Sequence, residues 1–226
     1  KVDLVHFAEA GPLATDAEVD LAFVEGSIST PEDLQRIDRI RARSRTLVAI
    51  GACATAGGVQ ALRNGPHSVH WLASIYADPE QIESLPDSTP ISAHVNVDLE
   101  LPGCPVTGEQ VLAVIHGLLL GVSPPATNEK VCVECKRRGL SCVMVSKGIP
   151  CMGPVTHGGC GALCPGMGRD CYGCFGPADL ANTDSLTHQF KALGLSDKAI
   201  ARRYRSINNN APVFATAAGK ALDSDG

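Results

Sequence analysis

The apolar and polar positions of the first half of the chain alternate between two periods. Short apolar runs at Val2–Phe7, Leu21–Val24 and Thr46–Ile50 predict strands, and so does His94–Leu101, where Val95, Val97 and Leu99 alternate with polar neighbours. Between the second and third strands, Thr30-Pro31-Glu32-Asp33 offers a capping hydroxyl, a proline at the first helical position and early negative charge. The helix predicted there places Leu34, Ile37 and Ile40 on one side and carries Arg36, Arg39, Arg41 and Arg43 toward its end. A mostly apolar helix is predicted over Gly108–Leu120. Strand and helix repeated in this order imply a mainly parallel sheet covered on both faces.

Ligands of such sheets sit at the carboxyl ends of the strands. Three segments lie there: Glu25-Gly26-Ser27, Gly51-Ala52-Cys53 and Pro102-Gly103-Cys104-Pro105. Their convergence on one edge predicts one site. Beyond Pro124 the pattern stops, and no helical or strand period persists between residues 125 and 180. A stretch of that length without regular structure needs another organiser. Residues 181–226 read as one short helix, about Ser196 to Arg205, with polar, poorly ordered ends. The division expected is 1–125 and 126–226.

Composition changes the picture in two places. The 226 residues carry a net charge of −5 and only 4% aromatic side chains, which argues against a nucleic-acid binder. The longest apolar run, Val111–Val122, contains His116 and is too short to span a bilayer. No membrane anchor is expected. The opening at Lys1 without methionine reads as a missing N-terminal segment.

The cysteines decide more. Of ten, only Cys53 and Cys104 precede residue 132; the other eight fall between Cys132 and Cys174. A chain that can bury its own core has no need of that many staples, so metal ligation is the better reading. Cys132, Cys135, Cys142 and Cys151 form one set of four; Cys160, Cys164, Cys171 and Cys174 form another. Each set matches the ligand count of a [4Fe–4S] cubane, and the many glycines around them allow close backbone approach. Two structural zinc sites of four cysteines are the alternative, with Cys132-x2-Cys135 and Cys171-x2-Cys174 as knuckles. Cys53 and Cys104 supply half a cubane, or a buried pair without metal. His157 reads as a neighbour of the ligands, and the remaining histidines show no metal spacing.

Gly51-Ala52-Cys53-Ala54-Thr55-Ala56-Gly57-Gly58-Val59-Gln60 resembles the proximal-cluster segment of nickel–iron hydrogenase small subunits. Val24-Glu25-Gly26-Ser27-Ile28 and Pro102-Gly103-Cys104-Pro105 are similar to two other strand-end motifs of those subunits, and Cys151-Met152-Gly153-Pro154, Cys160 and Cys171-Tyr172-Gly173-Cys174 to their cluster-binding part. The resemblance implies a flavodoxin-like domain followed by an irregular iron–sulfur domain. It also implies three [4Fe–4S] clusters: a proximal one on Cys53 and Cys104, completed by a Cys-x-x-Cys motif of the missing segment; a distal one on Cys132, Cys135, Cys142 and Cys151; and a middle one on Cys160, Cys171 and Cys174, with Cys164 as fourth ligand. Glu25 would stand beside the proximal cluster, or would simply be a solvated or capping glutamate. The partners implied are a large subunit holding the nickel–iron centre and a flavin/NAD(P) or other iron–sulfur subunit.

Two departures from the family pattern point to its cytoplasmic branch. Cys132-x2-Cys135 stands where many periplasmic and membrane-bound members have His-x-x-Cys, and Cys164 is available where those often hold a three-iron middle cluster. Gly57-Gly58 stand where oxygen-tolerant members carry an added cysteine. The rival readings are a cluster-bearing subunit of a respiratory NADH dehydrogenase-like complex and a zinc-stabilised interaction module.

Overall fold

The computed structural model describes residues 2–7, 17–65, 68–122 and 129–223. Three parallel strands form its sheet: β1 (Val19–Val24), β2 (Ser44–Ile50) and β3 (Leu99–Leu101), in the order β1-β2-β3. Val24 pairs with Ala49, and Ile50 with Leu101, so all three strands end at one edge. The central strand is buried on both faces at Leu47, Val48 and Ala49, as a parallel sheet requires.

Helix α1 (Pro31–Arg43) makes the crossover from β1 to β2. It opens with a capping box: Thr30 Oγ1 accepts from the Asp33 N–H at 3.1 Å, and Asp33 Oδ2 accepts from the Thr30 N–H at 2.9 Å. Its Ile37 is buried, with Leu34 and Ile40 alongside, in a core of Ile28, Leu47, Ala49, Ala54 and Ile91. The predicted helix α1 and strands β1 and β2 are therefore present.

Two predicted strands need correction. Val2–Phe7 forms no strand; its apolar side chains stand exposed, because alternation supplies a face but no ladder partner. His94–Leu101 shrinks to the three residues of β3. Ile91–Ala93 is a 3₁₀ turn, and Val95 and Val97 pack on the core beside α1 without pairing. Asp98 fixes the entry to β3 by accepting from the Leu47 N–H at 2.7 Å and from Arg41 at 2.6 Å. These bonds hold its carboxyl below the ordinary value of 3.8, so the stabilisation is present above that pH and is lost as acid titrates the group below it. Asp98→Asn is expected to lower stability by about 1 kcal/mol at pH 7, since the side chain is partly exposed, and by less in acid. Chemical denaturation at the two pH values checks this; an equal loss at both would defeat it.

After β2 come α2 (Gly51–Ala56) and a 3₁₀ turn (Val59–Arg63), then α3 (Ser68–Ile75); after β3 comes α4 (Gly108–Leu119). The cysteine-rich stretch holds three short helices, α5 (Val131–Arg137), α6 (Val143–Lys147) and α7 (Leu163–Gly166). No helix among the described residues is long and apolar enough to cross a membrane.

The C-terminal part departs most from expectation. Instead of one helix with frayed ends it folds into α8 (Thr183–Ala192), α9 (Asp197–Tyr204) and α10 (Pro212–Asp223). Leu186, Phe190, Ile200, Tyr204, Phe214 and Ala218 bury a second core that includes Val131, Val143, Cys151, Met152 and Cys171. Between α9 and α10, three consecutive amides grip other segments. Asn208 donates to the Gly173 carbonyl at 2.7 Å, Asn209 to that of Ala61 at 2.5 Å, and Asn210 to that of Ser88 at 2.9 Å.

Candidate metal centres

The turns after β2 and β3 are stitched together, because the Ala52 N–H donates to the Gly103 carbonyl at 2.8 Å. This places Cys53, near the start of α2, beside Cys104. Burial pushes the Cys53 thiol up, and the charges of Cys104 and then Glu25 add to it, while the Val59 N–H opposes them. Glu25, Cys53 and Cys104 thus share the edge that the sequence predicted.

Cys132 and Cys135 lie three apart on α5, Cys142 is the N-cap of α6, and Cys151 follows in the buried core. Burial pushes the Cys132 thiol up to about 11, and the charges of Cys151, Cys135 and Cys142 act in the same direction. The four thiols lie close enough for their charges to act on one another.

The second set is less uniform. Burial pushes Cys174 up to about 11; the Cys104 backbone N–H opposes it, and the charges of Cys160, Cys164 and Cys104 reinforce it. Cys171 is buried further and pushed up to about 12, with Cys151 and Cys174 as its charged neighbours. Its own N–H donates to Cys151 Sγ at 3.2 Å. Cys171 therefore sits between the two sets, while Cys160, Cys164 and Cys174 face one another.

The donor set fits iron–sulfur clusters. All ten cysteines are free thiols. Backbone N–H groups point at the sulfurs: Gly173 at Cys171 (3.4 Å), Val59 at Cys53, and Leu163 and Ala162 at Cys160. Gly58 leaves room where a side chain would not, for a Cβ there would overlap Cys53 Sγ. Among the described residues, no three histidine, cysteine, aspartate or glutamate side chains converge on a single point, as one metal ion requires. His157 hydrogen-bonds the Gly158 carbonyl through Nδ1 at 2.8 Å.

One polar residue that the spacing did not single out is Glu134, which reaches from α5 to the loop of Cys160. Its carboxylate accepts from the Gly159 N–H at 2.7 Å and the Ala162 N–H at 2.9 Å. Its position on α5 beside Cys135 was visible, but nothing in the sequence showed that the later loop folds back onto it.

Comparison with known proteins gives these thiols their setting. Residues 2–118 match the family described as NADH ubiquinone oxidoreductase, 20 Kd subunit. The sulfhydrogenase 2 delta subunit of Pyrococcus furiosus is 36% identical over 91% of this chain and 85% of its own length. A subunit of the F420-non-reducing hydrogenase of Methanocaldococcus jannaschii is 31% identical over 75% of this chain and 69% of its own. A solved NAD+-reducing [NiFe]-hydrogenase in the H2-reduced state contains a chain 33% identical to this one, covering 51% of this chain and 72% of that one, with a TM-score of 0.47. The match over half of the sequence, together with relatives aligned through the cysteine-rich part, shows that the chain belongs to the NADH ubiquinone oxidoreductase 20 Kd subunit family, among its hydrogenase subunits.

Proposed function

We propose that this chain is the electron-transfer subunit of a nickel–iron hydrogenase, carrying electrons between a large-subunit partner and a soluble-carrier module. The observation that carries the reading is the continuity of the thiols. Cys53 neighbours Cys104; Cys104 donates its N–H to Cys174; Cys174 faces Cys160 and Cys164; Cys160 neighbours Cys135; and Cys171 bridges toward Cys151. A row of redox sites from the sheet edge to α5 and α6 is what single-electron transfer over a distance needs.

In this reading Cys53 and Cys104 hold two corners of the proximal cluster, with two thiolates supplied by a segment outside this sequence or by a partner chain. Cys132, Cys135, Cys142 and Cys151 hold the distal cluster, and Cys160, Cys164, Cys171 and Cys174 the middle one. Bound there, three [4Fe–4S] clusters supply one-electron carriage. The chain's own residues fix the thiolates, aim N–H groups at the sulfurs and exclude water with Met152, Val155 and Phe175, all buried. Residues 1–125 form the domain of the proximal site, and 126–226 that of the other two.

The nickel–iron centre lies in the large subunit, which faces the edge at Glu25, Cys53 and Cys104. The carrier module is of the flavin/NAD(P) kind and the complex is cytoplasmic, as the Cys132-x2-Cys135 start of the distal set suggests. A second reading, a respiratory NADH dehydrogenase-like subunit, is favoured by the family description over residues 2–118. The eight cysteines beyond that span set the first reading apart.

Iron content and magnetic resonance test the assignment together. The complex purified anaerobically is expected to hold about twelve irons in this subunit, in cubanes of four. Replacing Cys164 with alanine should convert the middle site to a three-iron cluster, which is paramagnetic when oxidised, whereas an oxidised cubane is silent. A strong three-iron signal in the unaltered complex, or no change in Cys164→Ala, removes Cys164 from the ligand set. About four irons in total would favour the second reading.

A further inference from the structure

Helix α5 carries two of the distal thiols, and Glu134 within it and Arg138 just past its end hold a different segment. Glu134 takes the N–H groups of Gly159 and Ala162, on either side of Cys160. Arg138, one turn later, donates to the carbonyls of Gly161 at 2.5 Å and Ala162 at 3.2 Å. Donors and acceptors of the same short loop are thus held from the last turn of α5 and its C-cap. Ala162 needs this grip. It is fully buried and adopts φ 52, a left-handed conformation that costs a residue with a Cβ about 1–2 kcal/mol.

The carboxylate also lies against sulfur. Cys160 Sγ stands 3.8 Å from Glu134 Oε2, where the thiol can donate to it. When Cys160 serves as a thiolate ligand that proton is gone, and two negative groups face each other across the same gap. A fixed negative charge there opposes the arrival of another electron, which lowers the reduction potential of whatever Cys160 holds.

We infer that Glu134 is a positioning residue for Cys160: with Arg138 it sets the loop, and its charge keeps the potential of the middle site low. The inference rests on the reading of Cys160 as a cluster ligand. It also makes α5 the element through which the distal and middle sites are held in fixed relation.

The experiment compares Glu134→Gln and Arg138→Met in the purified complex, by iron content and by redox titration of the middle-cluster resonance signal. Glu134→Gln is expected to keep iron in the middle site and to shift its midpoint potential upward. Arg138→Met loosens the same loop but removes a positive charge, so an upward shift is not expected from it. If Glu134→Gln retains the iron without a change in potential, or if both variants shift it upward alike, the inference is overturned. Should Glu134→Gln lose the iron, Glu134→Asp, which restores the charge, is expected to recover it; failure of that rescue also overturns the inference. The underlying reading fails separately, if Cys160→Ala leaves iron content and spectra unaltered.

Discussion

On the three-cluster reading proposed above, Gly58→Ala is expected to empty the sheet-edge site while sparing the other two, lowering the iron of the complex by about four. The cause is local and severe. A Cβ at residue 58 would overlap Cys53 Sγ and lie 2.8 Å from the Cys53 Cα, at a φ of +61 that side chains rarely adopt. Rotating the cysteine could move the sulfur but not the Cα, so the turn itself must shift and carry Cys53 away from Cys104. On the same reading, loss of the proximal site breaks the relay between the large subunit and the other centres, so their hydrogen-driven reduction should fall sharply. Gly65→Ala is the control: it shares the positive φ (+118) but meets nothing within 4 Å. Full iron and normal electron transfer in Gly58→Ala would show that the turn is not built around Cys53.

The second large effect is structural. Phe214 is buried, its ring centroid lies 5.8 Å from that of Tyr204, and it shares a core with Cys151 and Cys171. Truncation to alanine should cost about 3–5 kcal/mol through lost burial and a residual cavity. That corresponds to a fall in thermal midpoint on the order of 10 °C for a chain of this size. The loss should reach the metal sites, because Gly173, in the turn between Cys171 and Cys174, lies directly over Phe214. Faster release of iron to a chelator, together with the lower midpoint, is the expected result. An unchanged midpoint would mean that α8, α9 and α10 do not support the cysteine-rich part.

Much of the sheet edge was legible in the sequence because its signals are local. Thr30, Pro31 and Asp33 declare the start of α1 within four residues, and the run Leu47-Val48-Ala49 declares a central strand. The spacing divided the eight later cysteines into two groups of four, and the structure brings members of both groups near one another. What stayed hidden depends on partners distant in the chain. Val2–Phe7 has the alternation of a strand, but alternation says nothing about what lies alongside. Val95 and Val97 have it too, yet they bury their side chains without forming a ladder. Cys171 falls with Cys174 by spacing, whereas its N–H goes to Cys151, twenty residues earlier. Residues 181–226 look polar because α8 and α9 each show the core only a narrow stripe, with Leu186 and Phe190 on one and Ile200 and Tyr204 on the other. Glu134 reads as a surface helix residue until the loop of Cys160 lies against it.

The three amides at Asn208, Asn209 and Asn210 have a consequence for the order in which the molecule is completed. They join segments far apart in sequence: 148 residues separate Asn209 from Ala61, and 122 separate Asn210 from Ser88. Contacts of such range form late, after the loop-closure entropy has been met. During synthesis the cysteines emerge before these amides do, so the turn between Cys171 and Cys174 is made before Asn208 can hold its Gly173 carbonyl. The last helices therefore act as a closing seal. On the proposed reading, a cluster bound at the Cys171–Cys174 turn would be enclosed only when the end of the chain is in place.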